Sequence, residues 1–173
     1  MALPMALLGC VTEEVTCQRV GWHIAGQHGA VFQHERRSAG DTDLTAQLNA
    51  AVAASGLQLG LLNLVCLHTS CSLTINENAD PRVLADLAAH LRALVPEEGI
   101  RPVSGLGDLR PYVHADEGSD DMPAHIRTAL TTSQLSLSFQ DGRLLLGTWQ
   151  AVYLWEHRRR GSRRQLSLHL LGS

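Results

Sequence analysis

At 173 residues, with 45% hydrophobic and 18% charged side chains, the chain can bury a core without disulfide or metal staples and is too apolar for a disordered one. A net charge of -3 provides no broad positive field, which argues against nucleic acid or an anionic membrane as partner. No apolar run reaches the length of a membrane span, and Cys10, Cys17, Cys66 and Cys71 form no disulfide-scaffold pattern, so reduced thiols in a cytoplasmic protein are expected.

Residues 1–10 read as an N-terminal extension or the start of a first strand, and 11–173 as one domain without repeats or linkers. Residues 11–20 mix β-branched and polar side chains as a half-exposed strand does, and a second strand falls within 22–37. A helix follows. Asp41 or Thr42 can cap it, Leu44, Leu48, Ala51 and Val52 recur at helical spacing, and Gly56 suits the position just past its end. The continuous apolar run from Leu59 to Leu67 predicts a strand covered on both faces. It leads into His68-Thr69-Ser70, a short strand from Ser72 to Ile75, and Asn76-Glu77-Asn78.

The next helix is strongly marked, by Asp80 as N-cap, Pro81 in the first turn, and a stripe of Leu84, Leu87, Leu91 and Leu94 ahead of Pro96. Residues 97–111 read as a loop, Tyr112 to His114 as a brief strand, and Asp120 or Asp121 as the cap of a short helix carrying His125. Beyond it, Leu135, Leu137 and Phe139 alternate with polar residues, Asp141-Gly142 signals a hairpin, and alternating strands follow around Val152–Glu156 and Leu166–Leu170. Antiparallel sheets with two or three helices packed on them give an α+β fold.

The polar residues cluster at strand ends and helix starts. Neutral imidazoles such as His114 and His125 suit a divalent metal, and a carboxylate between them, Asp121, can ligate it or orient a ring. Asn76, Glu77 and Asn78 precede a helix whose free N–H groups favour an anion. Plainer readings stand beside these. His68 serves equally as a hydrogen-bonded strand-end residue, and Glu77 with its asparagines as turn chemistry. A zinc reading of Cys66 and Cys71 lacks a second ligand pair at finger spacing. The basic run 156–164 reads as a hairpin whose tip is solvated, or one whose arginines, such as Arg160 and Arg163, turn inward to clamp phosphate.

Taken in order, His68-Thr69-Ser70, Asn76-Glu77, Asp80-Pro81, His114, the run from Asp120 to His125, Leu146-Gly147-Thr148-Trp149-Gln150 and Glu156-His157-Arg158 resemble the YjbQ family, the secondary thiamine-phosphate synthases. The resemblance implies a compact α/β fold, a homotrimer, and a weak or side activity joining a pyrimidine diphosphate to a thiazole phosphate with release of diphosphate. Its alternatives are a metal-assisted hydrolase or isomerase of a phosphorylated small molecule and a non-catalytic metabolite-binding trimer. Under it, His68, Glu77, Asp121 and Glu156 are the catalytic candidates. Asn76 and Gln150 would bind substrate, joined from the reading of the residues themselves by Asn78, Arg160 and Arg163, and His114 and His125 would bind a divalent metal ion. Two positions depart from the family pattern: Cys71 replaces a small residue such as Ala, and Thr131-Thr132 stands where a Gly often follows the short helix.

Overall fold

The computed structural model describes the backbone of residues 23–24 and 27–35 and, with side chains, residues 40–173. The strand expected over 11–20, the extension 1–10, Cys10 and Cys17 lie outside the described residues.

Nine strands and three helices are described, in two antiparallel sheets. The larger sheet holds β1 (His23–Ile24), β2 (Gln27–Glu35), β9 (Arg163–Gly172), β4 (Leu59–Cys66), β6 (Gln134–Gln140) and β7 (Arg143–Leu144), in that spatial order. The smaller one has β8 (Gln150–Glu156) between β3 (Gly40–Asp43) and β5 (Cys71–Glu77). Helices α1 (Thr45–Ser55), α2 (Pro81–Leu94) and α3 (Asp121–Leu130) complete the α+β architecture.

Strand alternation builds the core. Leu62 and Leu64 of β4, Leu137 and Phe139 of β6, and Leu166, Leu168 and Leu170 of β9 point the same way and pack against Val152 and Leu154 of β8, Leu73 of β5, and Leu44, Leu48 and Val52 around α1. Helix α1 is also tied to the sheets by polar contacts, Leu144 N donating to Asn49 Oδ1 at 2.8 Å and Val152 N to Thr45 Oγ1 at 2.9 Å. The Asp141-Gly142 turn takes positive φ at both residues, 51° and 75°, the pairing that lets a two-residue hairpin follow strand twist.

Several local expectations change. Asp41 and Thr42 lie in β3 rather than capping α1. That helix starts beyond Leu44, with Asp43 Oδ1 accepting from Thr45 N. Strand β4 is covered on one face only, since Leu59 and Leu61 are more than half exposed. Tyr112 to His114 form no strand, because their backbone pairs with no other strand among the described residues. Asp80 does cap α2, its Oδ1 accepting from Arg82 N at 2.9 Å, yet Leu84, Leu87 and Leu91 of its stripe are only half-buried and Leu94 is exposed. The basic run is no hairpin: β8 and β9 belong to different sheets, so residues 157–162 cross between them.

Candidate metal and anion site

Two sheet-changing connections meet at one end of the molecule. Residues 67–70 lead from β4 in the large sheet to β5 in the small one, and 157–162 lead back from β8 to β9. His157 N donates to Ser70 O where they touch. Helix α3 begins beside this junction, and its first residue, Asp121, is 2% exposed.

Asp121 is the hub. Its Oδ2 lies 2.9 Å from His114 Nε2, and its Oδ1 lies 3.5 Å from His125 Nε2 and is paired with Arg158 Nη1. Oδ2 is nonetheless buried with no aligned hydrogen-bond donor. The ligating atoms of His114, Asp121 and His125 all lie within 4.8 Å of one another, one from each residue. The two rings are tilted 57° to each other with centroids 5.4 Å apart.

Hydrogen bonding fixes the tautomers. His125 Nδ1 lies 3.0 Å from Thr69 O, and a carbonyl only accepts, so Nδ1 carries the proton. In the neutral ring, Nε2 is then a bare lone pair 3.5 Å from a carboxylate oxygen. That arrangement is repulsive unless a cation or a second proton lies between. For His68 the logic reverses. Ser70 N–H donates to Nδ1 at 3.1 Å, which leaves the ring proton on Nε2. Burial, then the nearby Arg164 guanidinium, hold His68 below the ordinary histidine range, so it is a neutral donor.

Beneath the junction runs a buried relay. Arg164 donates Nε to Glu156 Oε2 at 2.6 Å, and Nη2 both to Glu156 Oε1 at 2.8 Å and to Ser70 Oγ at 3.1 Å. Ser70 Oγ, 3.1 Å from His68 Nδ1, is thereby free to donate its own proton there. Glu156 Oε1 also accepts from Arg158 N at 2.9 Å. Beside the relay, Ser72 Oγ contacts His157 Nε2 at 2.8 Å, and burial, with the positive charges of Arg127 and Arg164, lowers His157 to about 4.

The rim is acidic. Arg158 contacts Glu117, Asp120 and Asp121, and Arg159 pairs with Glu97. Burial raises Asp120, but hydrogen bonds from Arg159 N and Arg158 outweigh it and hold that carboxyl below its usual range. Four carboxylates against two guanidiniums leave a negative excess, which persists when the buried Arg127 nearby is counted. Such a site draws a cation before it draws a bare anion.

Of the residues singled out by sequence, His68, His114, Asp121 and His125 gather here. Glu156 joins them from below, with its side chain closed off from solvent. Asn76, Glu77, Asn78 and Gln150 do not. Glu77 pairs with Gln150 at the opposite end of β5 and β8, whereas Cys71 pairs with Glu156, which puts the two groups roughly 20 Å apart along the strand. There, Gln150 Oε1 accepts from Gly147 N at 2.8 Å and Asn76 Oδ1 from Glu77 N. Arg160 and Arg163 are exposed, and the arginines that turn inward are Arg158 and Arg164. Sequence held the signal for Arg164: the alternation that sends Leu166, Leu168 and Leu170 inward sends it inward too.

Residues 30–173 match the profile described as UPF0047 protein YjbQ-like. The chain belongs to the YjbQ family. It is 47% identical over 130 residues to the UPF0047 protein sll1880 of Synechocystis, covering 75% of this chain and 82% of that one. It is 44% identical over 116 residues to YjbQ of Salmonella typhimurium, covering 67% and 76%. Among solved structures, an uncharacterized YjbQ/UPF0047 protein of Clostridium acetobutylicum superposes with a TM-score of 0.67 at 31% identity, covering 82% of this chain and 98% of its own. A YjbQ-like protein of unknown function from Sulfolobus solfataricus, at 19% identity and a TM-score of 0.70, shares the fold. In this chain α3 brings one imidazole, that of His125, over the sheet junction, and the loop before it brings His114. Among the described residues no helix is long and apolar enough to cross a membrane.

Proposed function

We propose that His114, Asp121 and His125 bind a divalent metal ion, and that the chain uses it to handle a diphosphate or phosphate group of a small molecule, as in secondary thiamine-phosphate synthesis. The observation that carries this reading is the His125 ring: its proton is committed to Thr69 O, so its lone pair faces the Asp121 carboxylate. Two imidazoles and one carboxylate form a donor set suited to zinc, manganese or iron, and the buried, donorless Asp121 Oδ2 suits ligation. When bound, the metal would neutralise charge developing on a departing diphosphate.

The chain's own groups supply the rest. Thr69 O and Arg158 orient His125 and Asp121 from outside the ligand set. His68 offers a neutral Nε2–H to a phosphate oxygen beside them, held in place by Ser70. The thiazole nitrogen is a neutral nucleophile that needs positioning more than a base, so an acid–base pair is not required. Arg164 and Glu156 act beneath, as positioning residues.

One observation favours a second reading. A proton on Nε2 relieves the His125–Asp121 conflict as a metal would, making His125 an imidazolium acid suited to a hydrolase or isomerase. Self-association, the homotrimer implied by family resemblance, is supported by the half-exposed Leu59, Leu61 and Leu171 and by the incompletely buried leucine stripe of α2.

Calorimetric titration with Zn²⁺ or Mn²⁺ separates the readings, because only the first requires an ion. One ion per chain is expected, lost in Asp121→Asn and His125→Ala. Diphosphate release from a pyrimidine diphosphate and a thiazole phosphate should fall with it. Absence of binding in the folded wild type refutes the metal assignment, and release that persists undiminished in both variants refutes the site.

A further inference from the structure

The loop between the two sheets at the site is bracketed by cysteines. Cys66 ends β4 in the larger sheet and Cys71 opens β5 in the smaller one. Both thiols are free and buried, and their sulfurs lie 2.8 Å apart with one facing the other. Packing alone accounts for one buried thiol, which behaves as a small apolar group. It does not call for two in direct sulfur contact across a sheet-to-sheet crossing. We propose that Cys66 and Cys71 form an oxidisable dithiol that closes to a disulfide under peroxide and thereby alters the anchoring of His125. The effect on metal binding rests on the reading above; disulfide formation itself does not.

Access is through the loop. Leu67, His68 and Thr69, in the four-residue segment that joins the two cysteines, are exposed, so a local opening of that segment admits a small oxidant. The two sulfurs are unequal. The hydrogen bond with Cys71 holds Cys66 below the usual thiol range despite burial, while the same bond and burial push Cys71 up. The His68 backbone N–H also reaches Cys66 and not Cys71, so Cys66 is the attacking thiolate. Its sulfur bonds to one peroxide oxygen, the O–O bond breaks, hydroxide leaves, and Cys66 becomes a sulfenic acid. Cys71 sulfur then displaces the hydroxyl, which departs as water with the Cys71 proton. In sum, two thiols and one hydrogen peroxide give one disulfide and two waters.

The bonds inside this loop reach the site directly. Thr69 O holds His125 Nδ1, and Ser70 holds His68 Nδ1 while accepting from Arg164. Closing the sulfurs to about 2.05 Å with a fixed dihedral redraws both ends of the loop that carries these groups.

The full chain is treated with hydrogen peroxide, alkylated in denaturant and digested with trypsin. Residues 38–82 are released as one peptide that holds Cys66 and Cys71 but neither Cys10 nor Cys17. The expected peptide is two hydrogens lighter, unalkylated, and restored by dithiothreitol. Cys71→Ala should stop at a Cys66 sulfenic acid trapped by dimedone. A native peptide that stays fully alkylated, at a peroxide dose that oxidises the urea-unfolded chain, overturns the proposal. The coupling is read from the His125 ring signals by nitrogen-15 NMR, which should shift in the oxidised wild type and stay put in peroxide-treated Cys71→Ala. Unmoved signals in the disulfide form overturn that half. Zn²⁺ affinity should weaken about tenfold on oxidation. A chain that takes no Zn²⁺ in either form counts against the metal assignment, and the peptide mass and ring signals still decide the dithiol.

Discussion

Replacing Arg164 by Met strips the buried relay of its only described cation in direct contact with Glu156. Three hydrogen bonds vanish, at 2.6, 2.8 and 3.1 Å, and Glu156 keeps only the Arg158 backbone N–H while remaining closed off from solvent. Breaking a buried ion pair from one side costs about 3–5 kcal/mol, because the surviving charge is left without compensation. Against a total stability of roughly 5–15 kcal/mol, that is enough to move a urea midpoint far to the left. Removing both charges should cost much less, since no desolvated ion remains: Glu156→Leu with Arg164→Met is expected to recover at least half of the loss. Equilibrium urea unfolding of wild type, both single variants and the double variant measures the cycle. A single-variant cost below about 1 kcal/mol, or a double-variant cost equal to the sum of the singles, refutes the buried-pair account.

Three further outcomes are expected. His157 is lowered to about 4 in the folded chain and lies near 6.5 unfolded, so the unfolded state binds more protons between those values. The stability it confers is complete above pH 6.5 and falls by about 2 kcal/mol on going to pH 5, with His68 adding in the same direction; His157→Gln should flatten that slope in urea titrations. The His68 ring should appear by nitrogen-15 NMR as the Nε2–H tautomer at pH 7, and finding Nδ1–H would show that Ser70 does not hold it. Gly142→Ala should cost about 1–2 kcal/mol in thermal or urea unfolding, entirely from the positive φ of 75°, because the nearest atom to the added methyl carbon is 3.8 Å away.

What sequence made legible was whatever a local rule decides. Helix α2 announces itself through Asp80 and Pro81, and the Asp141-Gly142 turn through its dipeptide. The strands β6 and β9 follow from alternation with leucine and phenylalanine. The half-exposed β4 was not legible, because a continuous apolar run looks the same whether a second face is covered or bare. In the site, His114, Asp121 and His125 are legible as a group because two imidazoles flank one acidic segment; the structure adds that Asp121 and His125 share one helix face four residues apart. Asn76, Glu77 and Gln150 were grouped with them although strand β5 carries these to its far end, a distance that residue number does not express. The inward arginines are Arg158 and Arg164 rather than Arg160 and Arg163. In β9 a slip of one position exchanges Arg164 for Arg163, a buried guanidinium for an exposed one, and Arg158 lies two residues before Arg160 in the crossing.

The placement of the site follows from topology. A strand that stays in its sheet satisfies its backbone through its neighbours, but a chain leaving one sheet for another gives up that ladder at the crossing. Two such crossings meet here, and Ser70 O, His157 N and Thr69 O find partners across the gap or in side chains instead. Polar side chains are therefore needed at this end for folding alone, which explains the buried Ser72–His157 and Glu156–Arg164 pairs. Function needs one further step: α3 lowers an acidic first residue and an imidazole one turn later onto groups that folding already required. Thr69 O is the shared atom. The same carbonyl that the crossing leaves without a ladder partner accepts the hydrogen bond from His125 Nδ1–H, and in doing so leaves the other ring nitrogen beside Asp121 as a lone pair.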